Sequence, residues 1–202
     1  MQILRSGRGL TALSVLCWLF AVGVGLTRLW AYAYTPGPAA VAHASWPEAS
    51  RLPRDATHPT LVMLLHPQCA CSRASIGELA QLMAHVQNRV NVHLLFYRPI
   101  GASREWTDTD LWDNAAAIPG VTLRIDEDGV EAARFGGFVS GQTFLFGRDG
   151  RLLFQGGITY ARGHAGDNVG RQSLQALIHD GQAPARRTPV FGCLLGGAGA
   201  AS

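Results

Sequence analysis

The sequence predicts an α/β domain, a mixed sheet with helices on both faces, behind one N-terminal membrane-spanning helix. Three observations predict it. Apolar residues recur in the order strand, helix, strand, helix, strand, helix, hairpin, helix, which suits a sheet covered on both sides. The nineteen residues from Gly9 to Thr27 carry no charge, long enough as a helix to cross the hydrocarbon of a bilayer. Two cysteines, Cys69 and Cys71, sit where the first strand turns into the first domain helix.

The elements follow in chain order. Arg5 and Arg8 precede the apolar stretch and, with the amino terminus, outnumber Arg28 beyond it, so the positive-inside rule puts the N-terminus in the cytoplasm and the rest outside. Trp30, Tyr32 and Tyr34 would form the outer aromatic belt. A cleaved signal peptide is the rival, with Ala31-Tyr32-Ala33 as cleavage site, but the stretch exceeds a usual signal core of about 7–15 residues. An uncleaved anchor over 1–34 is the expectation, with Cys17 as an apolar side chain inside it. Thr35-Pro36-Gly37-Pro38 stops that helix, and residues 35–58, rich in Ala and Pro, read as a spacer.

The domain is expected over 59–182. Thr60 to Leu65 is a strand, and Ile76, Leu79, Leu82, Met83 and Val86 recur at helical spacing after it. Asn91 to Tyr97 is the second strand, residues 108–118 a helix ending before Pro119-Gly120, Val121 to Ile125 a short strand, and Val130 to Phe135 a short helix stopped by Gly136-Gly137. Gln142 to Phe146 and Arg151 to Gln155 flank an Asp149-Gly150 turn and form an antiparallel hairpin. The last helix runs from Asn168 to Asp180, capped by Asp167 or Asn168. Residues 183–202 are a Gly-rich tail carrying Cys193, too rich in glycine to be a core element.

Composition excludes some functions. With 202 residues, 48% apolar and 15% charged, the chain has room for one ordinary core plus appendages. A net charge of +3, evenly spread, is too small for a nucleic-acid binder. All 17 basic residues are arginine, which reflects base composition before any recognition of anions.

Chemistry concentrates in His66-Pro67-Gln68-Cys69-Ala70-Cys71. Backbone N–H groups and the positive end of the helix dipole lie at a strand-to-helix corner, and both stabilise a thiolate, the form that attacks disulfides and binds soft metals. The corner therefore predicts redox or metal chemistry. Outside the cytoplasm disulfides persist, so the oxidation state of Cys69, Cys71 and Cys193 becomes a functional variable.

The element order and the cysteine corner resemble the thioredoxin-like superfamily over about residues 59–182. More narrowly, His66-Pro-x-Cys-x-Cys-Ser-Arg-Ala-Ser, Gly156-Gly-Ile-Thr-x-x-Arg-Gly-His-x-Gly-Asp-Asn168 and Pro189-Val-Phe-Gly-Cys193 resemble a membrane-anchored bacterial group, the RedB-like proteins. The resemblance implies that Cys69 is the more exposed nucleophile and Cys71 its partner, with His66, Pro67 and Gln142 beside the substrate. The chain departs from the superfamily pattern in three places. One residue, not two, separates the cysteines, so a direct disulfide would be strained and oxidising. Gln142 stands where the family has a cis-proline; a trans peptide is expected there, with the side chain offering a donor and an acceptor in place of the ring. No buried acid occurs in Thr60 to Leu65, which leaves His66 as the nearest titratable group, free also to fix the turn by a hydrogen bond.

The same topology would hang the loop 156–167 over the cysteines, with Gly156, Gly157, Gly163 and Gly166 letting it approach closely and His164 at its tip. The alternative is a solvated loop in which Arg162 and Asp167 are surface charges. Cys193 either resolves a mixed disulfide, or relieves the strained pair by bonding Cys69, or is a free thiol near a frayed end. His43, His58, His85, His93 and His179 read as structural or solvent-facing.

Three functions follow as expectations. The first is a membrane-anchored thiol–disulfide oxidoreductase of the bacterial envelope, needing no cofactor: Cys69 attacks a protein partner's disulfide and Cys71 or Cys193 releases the mixed disulfide. The second is a copper carrier resembling the Sco-type chaperones, with Cys69, Cys71 and His164 as ligands for Cu(I). The third is a binding protein without catalysis.

Overall fold

In this computed structural model, which describes residues 2–86 and 88–196, strand β1 (Thr60–Leu65) is buried along its whole length. That burial matches its unbroken apolar run and requires cover on both faces. β1 pairs in parallel with β2 (Asn91–Arg98), which pairs in parallel with β3 (Val121–Glu127). On its other side β1 runs antiparallel to β4 (Thr143–Phe146), and β4 antiparallel to β5 (Leu152–Gly156). The sheet order is β3-β2-β1-β4-β5, a mixed sheet as the sequence predicts.

One face is covered by α2 (Ala70–Val86), α3 (Asp110–Ala116) and α5 (Val169–Asp180), whose Ile76, Leu79, Leu82, Leu111, Leu174 and Leu177 pack on Leu61, Met63, Leu65, Leu94 and Phe96. A fully buried Leu is worth about 1.5–3 kcal/mol, so this face alone supplies a core. The other face is covered by α4 (Val130–Arg134) and by residues 36–58. Asp126, at the end of β3, starts α4: its two carboxylate oxygens accept the Glu131 and Ala132 N–H groups, each at 2.8 Å. Of the two capping candidates for α5, Asn168 is the cap, accepting the Arg171 N–H at 2.8 Å.

Boundaries differ modestly from expectation. α3 is shorter than 108–118, starting after an extended Thr109 and ending at Ala116, and β3 continues past Ile125 to Glu127. Two appendages differ in kind. Residues 36–58, expected as a spacer, belong to the same compact unit as the domain, 36–202. Trp46 stands edge-on to Phe135 and Phe146, Leu52 is buried, and the Leu152 N–H donates to Ala44 O at 2.9 Å. An Ala/Pro-rich stretch with one Trp and one Leu suffices, because the face it covers needs few side chains.

The tail expected to lie outside the core is the second. Val190, Phe191 and Leu195 are buried, and the strap runs along β5 and the loop before β4: Thr188 N–H to Gln155 O at 3.2 Å, Leu195 N–H to Phe138 O at 2.9 Å. Glycine makes this possible rather than preventing it, since a Cβ on Gly157 would lie 2.7 Å from Pro189 O, and one on Gly192 1.8 Å from Ser140 O. Residues 197–202 and the side chains of Arg5 and Arg8 lie outside the described residues. Residues 1–35 form a separate unit consisting of α1 (Gln2–Tyr34), in which Gly9–Tyr34 is long and apolar enough to cross a membrane.

Candidate functional site

The site is assembled around the N-terminus of α2. After β1 the chain turns through His66, Pro67 and Gln68, and Cys69 precedes the first helical residue. Ser72 pins the corner: its Oγ accepts the His66 N–H at 2.9 Å, donates to His66 O at 2.8 Å, and lies 2.6 Å from Ser140 Oγ. Thr109, ahead of α3, donates to Pro67 O at 3.2 Å. The corner is thus held from its own helix, from α3 and from the loop before β4.

Three sulfurs converge there. The Sγ atoms of Cys69, Cys71 and Cys193 all lie within 4.8 Å of one another, and those of Cys69 and Cys193 are 3.3 Å apart, within hydrogen-bond distance. Cys69 is 8% exposed and Cys71 5%, while Cys193 is partly open to solvent. The strap holds Cys193 by its backbone: Ser140 N–H donates to Cys193 O at 2.8 Å, and Arg162 Nη1 donates to Gly192 O.

This arrangement puts a thiolate on Cys69. The Cys71 thiol donates to it, as do the Cys193 thiol and the backbone N–H groups of Ser72 and Cys71; against the opposing effect of burial they bring Cys69 down to about 4. Cys71 moves far upward, because it donates to Cys69 and is buried beside it, with an opposing N–H from Gly163. Burial, then the bond to Cys69, also raises Cys193, offset in part by the Arg162 charge.

The other expected residues are placed as follows. His66 stacks on Tyr97 (centroids 5.8 Å, 21°), meets Trp106 edge-on, and accepts the Gln68 N–H at 3.2 Å through Nδ1; burial lowers its pKa. The bond from Gln68 braces the turn. Pro67 is buried. Gln142 is 1% exposed, its Oε1 accepts the Phe138 N–H at 3.3 Å, and its backbone bonds Leu64 at 2.9 Å, so it braces the loop before β4 from inside. No cis peptide occurs among the described residues.

The loop 156–167 does approach the thiols, but through Arg162 and the Gly163 N–H rather than through His164. His164 is exposed, with Nδ1 2.7 Å from Arg162 O and its ring beside Tyr160. Among the described residues the cluster able to hold a metal ion here is the three cysteines, so the third donor is a sulfur and not the expected imidazole.

Sequence reading missed Glu78, Ser72 and Ser140. Glu78 is fully buried on α2, accepts from Gly166 N–H at 2.6 Å and Asn168 Nδ2 at 3.0 Å, and forms an ion pair with Arg171, its Oε2 2.7 Å from Nε. It ties the helix that carries Cys71 to the loop that carries Arg162. The available signal was that Glu78 is the one acid of its helix, between the apolar positions Ile76 and Leu79.

No protein-family model matches the chain, and no curated protein matches it in sequence. Solved structures do match. A hypothetical protein from Sinorhizobium meliloti 1021 is similar at 19% identity and TM-score 0.60, over 80% of this chain and 97% of that one. An uncharacterized conserved protein from Geobacillus kaustophilus is similar at 17% identity and TM-score 0.58, over 80% and 92%. A thioredoxin-like protein solved in its oxidized form is similar at 15% identity and TM-score 0.47, over 67% and 93%. The sheet order, with β1 to β3 parallel and β4 and β5 antiparallel, and the cysteines at the β1–α2 corner make the architecture of residues 59–182 thioredoxin-like.

Proposed function

We propose that this chain is a thiol–disulfide exchange protein of the bacterial envelope, anchored by α1 with its N-terminus in the cytoplasm and its thioredoxin-like domain outside. The observation that carries this reading is the convergence of three sulfurs at the N-terminus of α2, where Cys69 lies 3.3 Å from Cys193 and within 4.8 Å of Cys71, an arrangement that favours a thiolate on Cys69. A low-pKa sulfur is both a ready nucleophile and a good leaving group, and a neighbouring thiol lets a mixed disulfide with a protein partner be resolved within the chain. The resolving sulfur is Cys71 or Cys193, and the chemistry needs no cofactor. The resemblance of its motifs to the RedB-like proteins is in keeping with an envelope setting.

A second reading rests on the same cluster. Three soft sulfur donors within 4.8 Å suit Cu(I), which would then be cargo. Two anaerobic titrations of the full chain in detergent separate the readings, one against glutathione redox buffers and one with Cu(I). Exchange predicts a defined two-electron potential that Cys69→Ser abolishes and His164→Ala leaves unchanged. Tight uptake of one copper per chain, lost in both Cys69→Ser and Cys193→Ser, with no defined potential, would move the assignment to metal carriage. Neither potential nor copper would leave a binding protein.

A further inference from the structure

The three sulfurs are not equivalent in what can reach them. Cys69 is 8% exposed and Cys71 5%, both under the strap and the loop around Arg162 and Gly163, whereas Cys193 is partly open to solvent. Cys193 is also firmly mounted. Its carbonyl accepts from Ser140, the neighbouring Gly192 carbonyl from Arg162, and Gly192 passes so close to Ser140 O that no side chain fits. A segment held this way brings the Cys193 sulfur to 3.3 Å from Cys69, and a disulfide needs only about 2 Å, so the bond forms with a small side-chain movement. Cys69 and Cys71, by contrast, are two residues apart on one helix start, where a disulfide is strained.

We infer that the working disulfide of this protein joins Cys69 to Cys193, and that a partner's thiolate attacks it at the solvent-facing Cys193 sulfur, making the chain a donor of disulfides to dithiols. The inference rests on the exchange reading and adds its direction and the sulfur that the partner touches. Arg162, whose charge acts on Cys193, draws the incoming anion to that side. Cys69 then leaves toward the N–H groups of Cys71 and Ser72 at the helix start, a better place for departing charge than the strap offers.

The steps balance. One partner thiol loses its proton to water and attacks Cys193 Sγ; the Cys69–Cys193 bond breaks, and Cys69 departs with the electron pair as thiolate. The partner's second thiol, also deprotonated, attacks the partner sulfur of the mixed disulfide. A partner disulfide forms, and Cys193 leaves and takes up one proton. The partner loses two electrons, the protein disulfide gains them, and one proton remains in solution. A second disulfide compound, exchanging by the reverse path, regenerates the oxidised chain.

The test uses the full chain in detergent. The protein is oxidised with diamide, desalted, and its disulfide mapped by non-reducing peptide mass spectrometry. It is then mixed with limiting reduced glutathione at mildly acid pH in the presence of iodoacetamide, so that a released Cys69 thiolate is alkylated and cannot reverse the step. A Cys69–Cys193 disulfide, followed by glutathione on Cys193 and carbamidomethyl on Cys69 in at least about tenfold excess over the opposite pattern, is the expected result. A Cys69–Cys71 disulfide, or glutathione on Cys69, overturns the inference and leaves thiol exchange standing. A chain that forms no disulfide, or one that glutathione does not reduce, overturns the exchange reading and the inference together.

Discussion

Cys69 and Cys193 end 3.3 Å apart, and they reach that place by opposite routes. Cys69 is positioned within residues 60–72, by a buried strand, a turn, and the Ser72 hydroxyl closing back on His66. Cys193 is positioned by contacts reaching most of the way back along the domain, from the Gly37 N–H on Val190 O to Ser140 on Cys193 O and Arg162 on Gly192 O. The first arrangement is made mainly by the local chain, with single ties from Thr109 ahead of α3 and Ser140 before β4 added to it. The second depends on the whole domain closing, so the sulfur partnership forms only in the finished fold. A reactive thiolate is thereby coupled to an intact tertiary structure.

The severest way to break this partnership is to cut the tie between its two supports. Glu78→Ala leaves the Arg171 guanidinium, in a side chain only 13% exposed, with the exposed Asp167 carboxylate in place of its buried partner, and frees the loop at Gly166 and Asn168. A loss of about 3–5 kcal/mol is expected, measured by urea denaturation with the disulfide state held reduced.

Gly192→Ala acts on the strap alone. Its Cβ would fall 1.8 Å from Ser140 O, so the strap must shift, at about 1–3 kcal/mol, and carry Cys193 away from Cys69. The same denaturation series checks the first effect, and slower formation of the Cys69–Cys193 disulfide under diamide checks the second. Ser72→Ala acts on the corner instead, leaving the buried His66 N–H and Ser140 hydroxyl short of a partner, for about 1–3 kcal/mol by the same measurement.

Cys193→Ala is the mildest of these changes and acts on the thiolate alone. Cys69 in the reduced protein should be alkylated by iodoacetamide with a midpoint near pH 4, and Cys193→Ala should move that midpoint upward without restoring an ordinary thiol value, because the Cys71 thiol and the helix N–H groups remain. The sign for stability follows from the same shift. Cys69 lies below its usual 9.0 when folded, so its contribution to stability is complete above about pH 9 and is lost as pH falls through about 4. Urea midpoints of the reduced protein across that range should fall with pH, less steeply in Cys193→Ala.

The elements, their order and a pair of thiols at the β1–α2 corner were legible from local sequence alone. Apolar periodicity, an Asp149-Gly150 turn and the uncharged run before Arg28 depend only on neighbouring residues, and so does a cysteine placed at a helix start. Residues whose role is to meet something distant were not legible. Trp46 and Phe191 sit in stretches that look like linker and tail, Glu78 reads as one polar position of a helix, and Gln142 as a surface contact; each is buried or packed only because another segment covers it. The same holds for the third sulfur. His164 and Cys193 stand on chain segments of similar glycine content, and nothing local distinguishes which one arrives at Cys69. The tertiary structure decided for Cys193, because the glycines at 156, 157 and 192 let backbone pack on backbone and bring the strap in, while the Arg162–Gly163 approach leaves His164 pointing to solvent.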